Sequence, residues 1–265
     1  MSLFISLPLL ASGLDKLDRY LYGVKPGVTV NGEEVGGLLP EEVIRLVEHL
    51  AIRHQKVPSE PALDRNSGEI IPEVEGYIID VEYNVQQILA AEAGERLKLK
   101  VIPVYPKHRG AEIEEIKDII ASYSTWISGS AQRQSNIQLA VKAINNTLLW
   151  PGELFSFNEV VGPRTMLRGY QPAPIIMMGH MEMDFGGGVC QVASTLYNAA
   201  AAADLTIIER HQHSRPVHYV PKGKDATVNY GYLDLKFKNN LNTPLIVKAW
   251  VGGNQVWVNI LGREK

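Results

Sequence analysis

The stretch Asp184-Phe185-Gly186-Gly187-Gly188-Val189-Cys190-Gln191-Val192-Ala193-Ser194-Thr195-Leu196-Tyr197-Asn198-Ala199-Ala200 frames the reading of the whole chain. Three glycines in a row do not belong inside a helix or strand. They permit unusual backbone angles and let another segment approach closely. From Val189 to about Ala203 the residues are helix-compatible, and Val192, Leu196 and Ala199 recur at helical spacing. Cys190, the single cysteine of the chain, therefore falls in the first turn of a buried helix. A helix N-terminus lowers a thiol pKa through unpaired N–H groups and the macrodipole. Such N–H groups also stabilise a developing oxyanion, for which Gly186, Gly187, Gly188 and Gln191 form the expected loop. The plain alternative is an inert packed cysteine, and the glycines tip the reading toward a nucleophile. A phosphate cradle is disfavoured, because the Lys-Ser/Thr pair of a P-loop is replaced by Val-Cys.

A cysteine nucleophile needs a base. Four of the seven histidines, His180, His211, His213 and His218, lie in the segment 180–218. His213 is the first candidate and His211 the second, at the end of the apolar, strand-like Leu205–Ile208. Asp225 is expected to fix the imidazole tautomer, with Asn229 as the alternative orienter. A rival arrangement has His211, His213 and His218 with a carboxylate such as Asp184 ligating zinc. The spacing is weakly specific, and the preferred site contains no metal and no cofactor. Upstream, Pro151 to Thr165 and then Arg168-Gly169-Tyr170 form a second punctuated cluster. Arg164 and Arg168 offer planar forks to a substrate carboxylate, and Tyr219 joins them as a substrate-contacting candidate. Ordinary surface arginine is the competing reading for both.

Outward from this centre, residues 14–106 read as a small α/β domain and 107–265 as helices packed on a mostly antiparallel sheet, an α+β chain overall. Asn31-Gly32 between short apolar segments signals a hairpin, and Pro40 opens a helix carrying Val43, Ile44, Val47 and Leu50. Pro58–Gly68 reads as a polar loop and Tyr77–Asp80 as a strand. Asn84 reads as the cap of a helix reaching Ala93, and Leu97–Val101 as a half-buried strand. Val104–Gly110 is the expected boundary. A helix over Glu112–Ile120 and another from about Ser135 follow, the latter with Ile137, Ala140, Val141 and Ile144 on one stripe. Leu233–Lys238, Leu245–Val251 and Gln255–Leu261 read as strands, the last two joined at Gly252-Gly253-Asn254.

Composition bounds the function. With 265 residues, 45% hydrophobic and 21% charged, the chain carries a globular core. A net charge of −3 makes nucleic acid an unlikely partner. One cysteine excludes a disulfide framework, and no apolar run approaches the roughly 20 residues that span a bilayer. Phe4–Gly13, within a 1–13 leader or anchor remnant, reads either as a short signal-peptide core or as an apolar docking segment.

The blocks PGELFSFNEVVGPRT, RGY, GGGVCQVASTLYNAA, ERHQHSRPVHYVP and DATVNYGYLDLKFKN, in this order between about Ser122 and Val251, resemble the VanW family of vancomycin-resistance clusters. Residues from about Gly27 to Val104 resemble the peptidoglycan-binding domain that often precedes VanW domains. The resemblance implies extracytoplasmic cell-wall work in a Gram-positive-type bacterium, with proximity to a membrane through the N-terminus. Some VanW-domain proteins are L,D-transpeptidases whose nucleophile is the cysteine of the GGGVCQ block. That position is Cys190, and the family's histidine falls on His213. The implied activity is acyl transfer between peptidoglycan stem peptides through a cysteine thioester. The alternatives are a non-catalytic peptidoglycan-binding accessory protein linked to glycopeptide resistance and a cysteine amidase or peptidase on the same substrate. The sequence departs from the family pattern at Arg215 and His218, and Gly179–Asp184 is expected to be an atypical substrate loop.

Overall fold

A computed structural model describes residues 13–177 and 180–263. The leader expectation for residues 1–13 lies almost wholly outside them. The chain is α+β, and it divides into one unit of residues 1–60 and 73–107 and a second of 61–72 and 108–265. Among the described residues no helix is long and apolar enough to cross a membrane.

In the first unit, Asn31 and Gly32 both take positive φ, 50° and 89°, as the tight turn between Thr29–Val30 and Glu33–Glu34 requires. The helix Pro40–His54 buries Val43 and Val47, while Ile44 faces outward. Two expectations are corrected here. Asp80, not Asn84, caps the helix Val81–Ala90 by accepting from the Tyr83 amide, 3.1 Å. Asn84 is buried within the first turn and grips Lys100 through both its backbone groups. That grip breaks the run Leu97–Val101, so Arg96–Leu97 and Val101–Val104 are separate strands in separate sheets.

The second unit is built on a four-stranded antiparallel sheet in the order Asp118–Trp126, Gln255–Gly262, Leu245–Gly252, Thr147–Leu149. The helix expected over Glu112–Ile120 is only Gly110–Glu114; from Asp118 the chain is a strand that pairs with Gln255–Gly262 along its length. The hairpin between the last two strands turns at Gly253 and Asn254, both with positive φ. Two helices, Ala131–Ile144 and Val189–Ala202, pack on one face of this sheet and on each other. Ile137, Ala140 and Ile144 from the first and Val192, Leu196 and Ala199 from the second meet Val247, Val256, Val258 and Ile260 in one core. Burying a side chain such as Leu196 contributes about 1.5–3 kcal/mol. Ala193, Ala199 and Ala200 keep the second helix slim enough for most of its residues to be buried.

A three-stranded sheet, Leu154–Ser156, Lys236–Lys238 and Thr206–Glu209, stands beside these helices, with Phe155 stacked on Phe237 at 4.7 Å between centroids. The segment expected as a loop near Asp184 is instead the exposed strand His180–Phe185, paired with Pro172–Met177. Pro58–Gly68 also differs: Ala62–Leu63 pairs with Ile70–Ile71.

Candidate active site

The glycine run is shaped by its neighbours. Gly186 and Gly188 adopt φ of 86° and 106°, which favour glycine, and Gly188 caps the helix Val189–Ala202. Gly187 is pressed on the Ala173 strand, where an added Cβ would stand 2.6 Å from the Ala173 carbonyl oxygen. Asn136 donates to the Gln171 and Gly187 carbonyls, 2.8 and 3.1 Å, and so ties the loop to the first helix. The Val189 and Gln191 amides bond back to Gly186 and Gly188, each at 3.0 Å. Among the described residues the Cys190 amide between them donates to no protein acceptor.

Cys190 is half-buried against the segment Ala226–Val228. Its Sγ accepts from the Val228 amide at 3.5 Å and lies 3.7 Å from the Thr227 hydroxyl. The His213 imidazole lies close enough to act on its charge. Burial pushes the thiol up; the His213 imidazole, with the Val228 and Thr227 contacts, outweighs it and holds the thiol below its ordinary range. Burial pushes the His213 imidazole down, and its contacts with Cys190 and Asp225 reverse this to a raised value. The pair thus leans toward thiolate and imidazolium.

His213 reaches Cys190 because the chain bends after Glu209. His211 forms a bridge to Thr227, accepting its amide at 2.8 Å, and this sets residues 211–213 beside 225–228. Asp225 Oδ2 accepts both the backbone amide and Nδ1 of His213, each at 2.7 Å. With Nδ1 engaged, Nε2 is the nitrogen left for the thiol. The Asp225 carboxyl is pushed up by burial, and the two His213 hydrogen bonds bring it below its usual range. Arg210 backs the carboxylate from behind: its Nε donates to the Asp225 carbonyl at 2.7 Å, and its guanidinium covers the Tyr197 ring at 4.7 Å. Ser194 closes the junction, donating to the Cys190 carbonyl and accepting from the Ala226 amide, both at 2.8 Å.

The structure therefore gathers Cys190, His213 and Asp225, and Tyr219 lies against the same cluster. Burial keeps the Tyr219 phenol firmly protonated. Several other candidates lie elsewhere. The Gln191 backbone N–H, expected in the oxyanion loop, bonds instead to the Gly188 carbonyl, and its side chain is a buried strut. It donates to Thr125 Oγ1 and the Trp126 carbonyl at 2.9 Å and accepts from Arg133 at 2.7 Å. Arg168 is exposed and donates to the Val161 carbonyl at a helix end. His211 pairs with Glu209 at 2.9 Å, His218 is exposed, and Asp184 accepts from the neighbouring Phe185 amide on the exposed hairpin. No group of three or more metal-capable side chains gathers among the described residues. The Asn229 backbone closes a turn with Leu233, away from the imidazole's Asp225 partner.

Arg164 stands near the thiol, and so does Arg133, which the sequence reading missed; both sense the Cys190 charge. Burial lowers both guanidinium pKa values, and the nearby sulfur opposes this only in part. Arg133 precedes the helix expected from about Ser135, so no sequence signal pointed to it.

Among known proteins, the family model described as VanW like protein matches residues 132–261. Over 250 residues the chain is 37% identical to the uncharacterized protein YoaR of Bacillus subtilis (strain 168), covering 89% of this chain and 82% of that one. The chain belongs to the VanW family. It is also 34% identical over 121 residues to the vancomycin B-type resistance protein VanW of Enterococcus faecalis (strain ATCC 700802 / V583), which is 44% of this chain and 43% of that relative. No solved structure matches. The VanW match begins one residue before Arg133 and so takes in both arginines, the glycine loop, Cys190, His213 and Asp225.

Proposed function

We propose that the protein is an extracytoplasmic cell-wall acyltransferase of L,D-transpeptidase type, working on peptidoglycan stem peptides. The carrying observation is the Cys190–His213–Asp225 array, with a thiol held low at a helix N-terminus. The Cys190 thiolate attacks the carbonyl carbon that follows the L-centre of the diamino acid in a donor stem. The free Cys190 amide donates to the resulting oxyanion. Collapse breaks the C–N bond, His213 Nε2 gives its proton to the departing amine, and a terminal D-residue leaves a thioester behind. An amine of a neighbouring stem then attacks the thioester, His213 takes its proton, and the thiolate is released. Asp225 stays ionised throughout and positions the imidazole. These steps use only side chains and backbone of this chain and call on no cofactor.

The reading draws on the family, and on the resistance role in the name of the Enterococcus relative, for its place at the wall. The first unit, by its resemblance to the domain that precedes VanW domains, would hold peptidoglycan nearby. Incubation with muropeptides bearing tetrapeptide stems should give an acyl adduct on Cys190 by intact mass and crosslinked dimers by mass spectrometry. Cys190→Ala should abolish both. Undiminished crosslinking by that variant would refute the assignment, and a thiol that never acylates would leave a non-catalytic peptidoglycan-binding accessory protein.

A further inference from the structure

Arg164 is held as a receptor is held, with one donor left over. Its Nη1 is spent on Asn158 Oδ1 at 2.7 Å, and its guanidinium lies 5.6 Å from the Phe157 ring and 5.9 Å from the Tyr230 ring. Asn158 is itself fixed, donating to the Asn229 and Leu233 carbonyls at 3.3 and 2.9 Å and from its amide to Asp234 Oδ1 at 2.9 Å. The aliphatic stem rests on Gly186, where an added Cβ would come within 2.8 Å of Arg164 Cβ. The remaining nitrogen, Nη2, is buried and has no hydrogen-bond partner among the described residues. A buried charged donor left unmade is costly, and most such groups in native proteins are satisfied.

The neighbouring charges do not fill it. Asp234, the carboxylate closest in influence, is already occupied by the Ser156 hydroxyl and the Asn158 and Leu235 amides, at 2.6, 2.9 and 2.8 Å. Arg133, the other guanidinium near the thiol, has no such vacancy at its two ends, which hold the Ser128 carbonyl and Gln191 Oε1. Among the described residues, Arg164 Nη2 is the buried side-chain donor left without a partner.

Resting on the acyl-transfer reading above, we infer that Arg164 Nη2 receives the free carboxylate of the donor's last residue, the one that departs. An ionised carboxylate makes a charge-assisted bond with a buried guanidinium, which a carboxamide oxygen matches poorly. The site therefore reads the end of the donor peptide and selects stems that finish one residue beyond the scissile carbonyl.

The test uses the full chain carrying Cys190→Ala, so that binding is measured without turnover. Calorimetric titration compares a synthetic stem tetrapeptide (L-alanyl-γ-D-glutamyl-diaminopimelyl-D-alanine) ending in a free carboxylate with the same peptide ending in a carboxamide. The acid should bind at least about tenfold more tightly. Adding Arg164→Gln should bring the acid down to the amide's affinity and leave the amide unchanged. Equal binding of the two peptides, no binding of either, or an equal loss for both in the Arg164 variant would overturn the assignment. The peptide pair keeps the test valid even if Arg164→Gln folds poorly. The acyl-transfer reading fails separately: acid-selective binding with no adduct on the unsubstituted protein would sink the chemistry and leave the receptor standing.

Discussion

At the residue scale, the Cys190 thiol is a balance of opposed influences whose parts can be separated. Burial raises its pKa, and the His213 imidazole is the largest influence in the other direction. The rate of labelling by iodoacetamide should therefore titrate with a midpoint below the roughly 8.5 of a free cysteine. Removing the imidazole with His213→Ala leaves burial dominant, so the midpoint should move above the ordinary value. At pH 7 the rate should then fall by at least about tenfold, one pKa unit of thiolate fraction. A midpoint unmoved by His213→Ala would show that the imidazole does not govern the thiol. Cys190, His213 and Asp225 could be singled out in the sequence because each is a residue type the proposed chemistry would need, set in a stretch broken by glycine or proline. Arg133 and Asn136 were not. They lie more than fifty positions upstream on an amphipathic helix, where polar residues read as a solvated face, and only the tertiary packing turns them toward the glycine loop. Gln191 was expected to lend its backbone N–H to an oxyanion, but that N–H closes the turn on the Gly188 carbonyl, and its side chain looks into the core.

At the element scale, the site depends on how closely the loop 186–188 can lie on the strand Pro172–Met177. Gly187 is not in the left-handed region; its constraint is contact, since a Cβ would meet the Ala173 carbonyl at 2.6 Å. Backbone cannot yield as a flexible side chain can. Gly187→Ala should cost about 1–3 kcal/mol by overpacking, seen as a lowered Tm. It should also slow Cys190 labelling, because the start of the helix Val189–Ala202 shifts away from His213. An unchanged Tm would mean that the loop has slack the contact distance denies. Elements carried by local signals were readable: the Asn31-Gly32 turn, the helix opened by Pro40, the helix after the glycines and the final hairpin. The error over 112–120 came from weighing the acids Glu112, Glu114 and Glu115 as a helix start and extending it too far. From Asp118 on, the isoleucines, Tyr123, Thr125 and Trp126 favour a strand, and what settles it is pairing with Gln255–Gly262, more than a hundred residues away. Local periodicity carries no information about that partner. The break in Leu97–Val101 was equally hidden, since it rests on Asn84 taking the Lys100 backbone.

At the scale of the whole molecule, the chain passes into the second unit for residues 61–72, returns to the first, and leaves it again after Lys107. The short excursion is a structural part of the second unit. Leu63 joins Ile113, Ile116, Trp150 and Ile246 in a buried cluster, with Ile70 packed against it. Arg65 donates to the Ala143 and Asn145 carbonyls and to the Thr147 hydroxyl, and Asn146 donates to the Arg65 carbonyl at 3.0 Å. These bonds fasten the turn between the helix Ala131–Ile144 and the edge strand Thr147–Leu149. Replacing Pro61–Pro72 by a short Gly-Ser linker removes the cluster's Leu63 and the Arg65 bonds together, a loss of roughly 3 kcal/mol or more. The loss should fall on one unit. Hydrogen exchange should quicken in Thr147–Leu149 and Leu245–Gly252, while the helix Pro40–His54 keeps its protection. Faster exchange in that helix, with the sheet unchanged, would assign residues 61–72 to the first unit. The same measurement bears on the site, because the strand Leu245–Gly252 lies beneath the helix Ala131–Ile144, whose Asn136 and Arg133 steady the glycine loop and Gln191. A hairpin far from Cys190 in sequence thus stabilises the scaffold on which the thiol's helix is set, and its removal should weaken the site through stability before it alters any contact of the thiol itself.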